Sequence, residues 1–213
     1  IAYSPDLGIT PVDPEVAAIT RAAARRFEEA GCVVEEATPD LREAHACFQT
    51  LRALSFATGL GGLLRNHRDK LKPEVIWNIE KGLALSADDV VKAEHQRVAM
   101  LNRALAFFKT YDLLLCPTTI VPPFPVEERY VKDCAGHVFD NYVEWLAIVY
   151  AITLLLTPSV SIPAGFTASG LPVGVQVVAP PNADARALAG AKVLEDILGL
   201  PTDKPIMPRV RHH

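Results

Sequence analysis

Residues 158–181, PSVSIPAGFTASGLPVGVQVVAPP, read as two strands joined by a Pro/Gly-rich connection. The run Ser159-Val160-Ser161-Ile162 is short, partly β-branched and closed by Pro163, and Val173 to Val178 alternates branched residues with Gly174 and Gln176. Between them, Gly165 and Gly170 permit positive φ and Pro172 removes one ladder donor. Working outward, Leu113 to Cys116 is a third apolar strand, and Trp145 to Thr157 reads as a buried helix leading into Ser159. Downstream, a helix from Asp184 is expected to bury Leu188, Ala191, Leu194 and Leu198 and to stop at Gly199.

The opening of the chain has the same α/β character. Asp13 is placed to cap a helix with Pro14 at its first position and Glu15 favourable to the dipole, with Val16, Ile19, Ala23 and Phe27 on one face and Gly31 as the stop. Cys32 to Glu36 then reads as a strand parallel to the one at the N-terminus. From Asp40 to about Arg65, Leu41, Ala44, Phe48, Leu51 and Leu54 recur at helical spacing until Gly59, Gly61 and Gly62 loosen the pattern, and mixed helix and loop should follow. Ser86 with Asp89 makes a variant capping box for a long helix whose inward stripe is expected at Val91, Val98, Leu101, Leu105 and Phe108. Prolines 117, 122, 123 and 125 make residues 117–139 a long irregular excursion, and loops of that length are uncommon unless functional. The expected architecture is a mixed, largely parallel twisted sheet covered by helices, formed by residues 1–213 as part of one domain.

Composition excludes several function classes. The chain has 213 residues, half of them apolar and 22% charged, enough for a substantial core. A formal charge of −4 and no Lys/Arg-rich run argue against nucleic acid or an anionic membrane as partner. The Trp145–Thr157 run falls well short of the roughly 20 residues that span a bilayer. The four cysteines, 32, 47, 116 and 134, lack C-x-x-C spacing and read as reduced, buried thiols of a cytoplasmic protein. The terminal His212-His213 pair reads as a tag remnant, not a metal site.

The 158–181 block, together with Tyr111-Asp112-Leu113-Leu114-Leu115-Cys116-Pro117-Thr118-Thr119, Asn141-Tyr142-Val143-Glu144-Trp145 and the opening Ile1-Ala2-Tyr3-Ser4-Pro5-Asp6, resembles the C-terminal part of amidase-signature enzymes. The likeness extends over nearly all of the chain. One departure is local: where the family commonly has an Asn and then Gly-Leu before the Pro, Thr153 and Leu156-Thr157 stand here, which bears on packing or substrate preference. The resemblance implies amide hydrolysis through a nucleophilic serine, a cis-bonded second serine and an upstream lysine, without a cofactor. None of that apparatus is visible here. The six serines, 4, 55, 86, 159, 161 and 169, are isolated from one another, and none lies in a glycine-rich nest that could donate to an oxyanion. The chain also begins without Met, inside a strand. It is therefore expected to be the C-terminal portion of a longer enzyme, inactive alone, with no catalytic residue of its own.

Candidate substrate-binding residues are Thr118, Thr119 and Trp145. The two threonines follow a strand's C-terminal end, where α/β folds place ligand-facing loops and where small hydroxyls can hold an amide; turn capping is the competing reading. For Trp145 the competing reading is core packing with Tyr142. Cys116 is read as structural, since no base for it is visible. His45, His67, His95 and His137 show no metal-ligand spacing, and Asp112 and Glu144 are read as solvated or capping carboxylates. The implied partners are a small amide substrate and the missing N-terminal half, with a homodimer as a further candidate. Two rival readings are the A subunit of a tRNA-dependent amidotransferase and a non-catalytic assembly or binding module.

Overall fold

The computed structural model describes residues 1–200; the His212-His213 pair lies outside the described residues. Seven strands occur among them: β1 (Ala2–Tyr3), β2 (Glu35–Glu36), β3 (Leu114–Pro117), β4 (Asp133–Cys134), β5 (His137–Val138), β6 (Ser159–Phe166) and β7 (Pro172–Val178). Five form one mixed sheet in the order β2-β1-β3-β7-β6. β1 pairs in parallel with β2 and β3, as the βαβ opening requires, whereas β7 lies antiparallel between β3 and β6. The 158–181 block is thus a hairpin. β6 runs past Pro163, where the sequence suggested it would close, because it is the sheet's edge strand and a bulge at Pro163/Gly165 absorbs the lost donor. β4 and β5 make a separate small hairpin inside the proline-rich excursion.

Six α-helices occur among the described residues: α1 (Pro14–Arg25), α2 (Ala44–His67), α3 (Pro73–Leu83), α4 (Ala87–Phe107), α5 (Ala147–Leu154) and α6 (Asp184–Leu198). Local signals set several boundaries. Asp13 Oδ1 accepts from the N–H groups of Glu15 and Val16 at 2.8 and 3.2 Å, and the Ser86/Asp89 capping box is complete. Gly199 ends α6, and Gly31 ends the 3-10 turn Arg26–Ala30 that follows α1; both are left-handed, at φ 59° and 78°. α1 and α6 cover one sheet face, and α2, α4 and α5 build the other. β3 is buried on both sides: Leu114 and Cys116 join Leu7, Met100 and Ile148, while Leu115 joins Phe27, Val177 and Leu194. That two-sided burial is why Leu113 to Cys116 is a continuous apolar run.

Four expectations are corrected. α2 continues unbroken through Gly59, Gly61 and Gly62, since α3 packs along it and tertiary contact overrides the weak propensity of glycine. α4 buries Ala93, Met100 and Ala104, leaving Val91, Val98 and Leu105 exposed by 53%, 53% and 42%; small residues on that face allow close approach to α2. Leu188 of α6 is 62% exposed, with Ala187, Gly190 and Ala191 against the sheet. Cys32 is half-buried, unlike the other three free thiols. No helix among the described residues is long and apolar enough to cross a membrane.

Candidate functional site

At the C-terminal end of β3 the chain leaves the sheet through Thr118 and Thr119 and enters the stiff Pro122-Pro123 segment, opening a cleft of about 440 Å³. Thr118, Thr119 and Trp145 all line it, so the fold brings together three residues that lie up to 27 positions apart (145 − 118) in sequence. Ser161, Phe124 and Gly174 complete its walls.

The threonines are held differently. The Thr118 backbone N–H donates to the Gly174 carbonyl at 3.0 Å, continuing the β3–β7 ladder by one residue. Its Oγ1 lies 2.7 Å from Ser161 Oγ, on the edge strand β6, reached across β7. One hydroxyl of that pair donates to the other, so one O–H remains free to donate into the cleft. The approach depends on Gly174, because a Cβ there would lie 2.9 Å from Thr118 Oγ1. Thr119 Oγ1 donates to the Val121 carbonyl at 2.9 Å, the turn-capping interaction expected of it, which leaves its lone pairs to accept. Trp145 is half-buried and meets Phe124 edge-to-face, with ring centroids 5.8 Å apart. The cleft therefore offers hydroxyl donors and acceptors on one side and aromatic and proline surface on the other. Such a surface suits a neutral polar group attached to an apolar body.

Two residues behind the wall keep it in place. Gln176 is 5% exposed; its Nε2 donates to the Pro117 carbonyl at 3.1 Å, and its Oε1 accepts from Ser159 Oγ at 3.1 Å. The same Nε2 sits 3.6 Å from Cys116 Sγ. Cys116 is fully buried and desolvation pushes its thiol up to about 12, so it stays protonated and is no nucleophile at neutral pH. Sequence reasoning missed Gln176 and Ser161. A single amide between the valines of VGVQVV was the available signal, since a polar residue in a strand buried on both faces needs partners.

The remaining candidates are dispersed. His45 Nε2 lies 3.0 Å from the Ile9 carbonyl, with Nδ1 against the Tyr150 hydroxyl. His67 and His95 are exposed on α2 and α4. The fold brings His137 Nε2 to 4.0 Å from Glu144 Oε1, a pairing invisible in sequence spacing, while Glu144 Oε2 accepts from the Asp140 N–H at 2.7 Å as a cap. Asp112 is exposed and 3.4 Å from Arg186. Among the described residues, no group of three or more His, Cys, Asp or Glu converges as a metal site.

Comparison with known proteins bears on the family and the fold. An acylamidase of Rhodococcus erythropolis is 31% identical over 208 residues, covering 96% of this chain and 43% of that protein. The A subunit of the glutamyl-tRNA(Gln) amidotransferase of Pseudomonas entomophila (strain L48) is 30% identical over 204 residues, covering 83% of this chain and 40% of that protein. The crystal structure of a bacterial aryl acylamidase among the amidase-signature enzymes superposes with a TM-score of 0.80 over 96% of this chain and 46% of that one; at 20% identity the likeness is one of fold. The chain thus spans under half the length of these relatives. Residues 1–188 match the family model described as Amidase, and on that extent of match the chain belongs to the amidase family.

Proposed function

We propose that this chain is the C-terminal part of a single-domain, cytoplasmic amide hydrolase and supplies one wall of its substrate cleft. The observation that carries the reading is the convergence of Thr118, Thr119 and Trp145 at the C-terminal end of β3. In this reading a serine outside residues 1–213 attacks the amide carbonyl carbon. The C–N bond then breaks, the leaving nitrogen takes a proton and departs as ammonia or an amine, and water hydrolyses the acyl ester to the acid. The free O–H of the Thr118–Ser161 pair orients the substrate, Thr119 accepts an N–H, and Trp145 packs against the apolar body. Ser161 is not the nucleophile. Its side-chain partner among the described residues is a threonine hydroxyl, which cannot act as a general base near neutral pH.

A panel of small aryl and aliphatic amides tests this. The longer protein that carries this chain is expected to hydrolyse at least one, and the 213-residue chain alone none. Turnover by the chain alone, or its absence across the panel in the longer protein, would overturn the proposal. A relative named as an amidotransferase component supports a second reading, in which the ammonia is passed on within an assembly. That reading expects stable co-purification with other proteins of the assembly, and the hydrolase reading does not.

A further inference from the structure

A second cleft, of about 320 Å³, lies between α2 and the end of α5 and shares no lining residue with the Thr118 cleft. Phe48, Leu51, Phe56, Leu154 and Leu156 give it apolar walls, into which Arg52 and Arg97 bring positive charge. Arg52 is the anomaly. Its Nε is buried with no hydrogen-bond partner among the described residues, and its one side-chain hydrogen bond there is a long one, Nη2 to the Tyr142 hydroxyl at 3.4 Å. No carboxylate among the described residues pairs with it. Instead its guanidinium carbon lies 4.7, 5.9 and 6.0 Å from the ring centroids of Phe56, Tyr142 and Phe48.

The surroundings do not relieve the charge. Glu74, which lines an adjoining cleft together with Arg52, is paired with Arg129 at 2.7 Å instead. Arg97 has one acidic partner, Glu94, at 3.7 Å. A guanidinium held by aromatic faces with no carboxylate partner among the described residues carries a desolvation cost that an anion on its Nη groups would offset. Carboxylate geometry matches the guanidinium fork, so such an anion would take two parallel N–H bonds at once. At the cleft's rim, Leu156 has φ 54°, the left-handed region that favours glycine, and its side chain adds to the apolar wall.

We propose that this cleft binds a small amphipathic carboxylate, its carboxyl group on Arg52 and its hydrocarbon body between Phe48, Phe56, Leu154 and Leu156. The volume is near the lower end for ligand pockets, which favours a ring-sized or short-chain acid over a long acyl chain. The inference is independent of the hydrolase reading, since neither the Thr118 cleft nor an upstream serine enters it.

Calorimetric titration with benzoate, and with benzamide as a neutral isostere, tests the proposal. Benzoate is expected to bind saturably, and Arg52→Met is expected to weaken benzoate tenfold or more while leaving unaffected any binding of benzamide, which the Thr118 cleft also suits. Benzoate binding by Arg52→Met at the wild-type Kd, an equal loss of benzamide binding in that variant, or no saturable binding of benzoate would overturn it. The last result is also what a carboxylate supplied by another part of a longer protein would give. Should Arg52→Met not fold, Arg52→Lys decides, because it keeps the charge and loses the fork: a several-fold weaker Kd supports the site and an unchanged one overturns it.

Discussion

Thr118 and Cys116 sit two positions apart on one strand end and serve opposite needs. Thr118 Oγ1 faces the cleft and Ser161, so Thr118→Val in the longer protein removes one hydroxyl interaction, worth about 0.5–1.5 kcal/mol. A two- to tenfold change in kcat/KM is expected, with the melting temperature within about 2 °C of wild type; unchanged kinetics would remove the residue from the substrate wall. Cys116 faces the core, and its thiol is raised from an ordinary value of 9.0 to about 12. The unfolded chain therefore loses this proton near pH 9 while the folded chain keeps it. The contribution is complete below pH 9 and is lost as pH rises towards 12, by up to about 1.4 kcal/mol per pH unit. Urea denaturation between pH 8 and 10.5 should show that fall, and Cys116→Val should flatten it; identical slopes would contradict the burial. The placement of the thiol within an apolar strand and of the threonines just after it was readable in sequence. Ser161 was not, because its role depends on β7 lying between β3 and β6 with the side-chain-free Gly174 at the crossing point.

Elements whose signals are local were legible, and those decided by close approach were not. Asp13, the Ser86/Asp89 box, Gly31 and Gly199 marked helix ends because a cap needs only its own neighbours in sequence. The buried face of α4 was misread because Ala93 and Ala104 win it by being small, which a count of large apolar residues cannot register. The α2–α3 crossing shows the same physics at its tightest, since a Cβ on Gly82 would lie 2.0 Å from the Ala53 carbonyl oxygen. Gly82→Ala must force the two helices apart, at a cost of about 1–3 kcal/mol or more. Thermal unfolding should show a fall of about 4 °C or more, and a melting temperature within 1 °C of wild type would mean that the helices do not approach so closely.

At the scale of the whole molecule, the sheet order β2-β1-β3-β7-β6 sets β7 between the C-terminal end of β3 and the Ser161 edge strand, and Gly174 of β7 lets Thr118 and Ser161 meet across it. The family was legible because many spaced positions of residues 158–181 follow from this one hairpin. The second cleft was not, because its residues come from α2, α4 and α5 and meet only through helix packing. In the proposed reading the hydrophobic and hydroxyl walls bind and orient the substrate, while the electron pair that attacks the amide comes from a serine outside residues 1–213. Labelling of the longer protein with a serine-reactive fluorophosphonate, followed by peptide mass mapping, tests this most directly. The account predicts one modified serine, upstream of Ile1. An adduct on Ser161, on another serine of residues 1–213 or on Cys116, or no adduct at all, would contradict it.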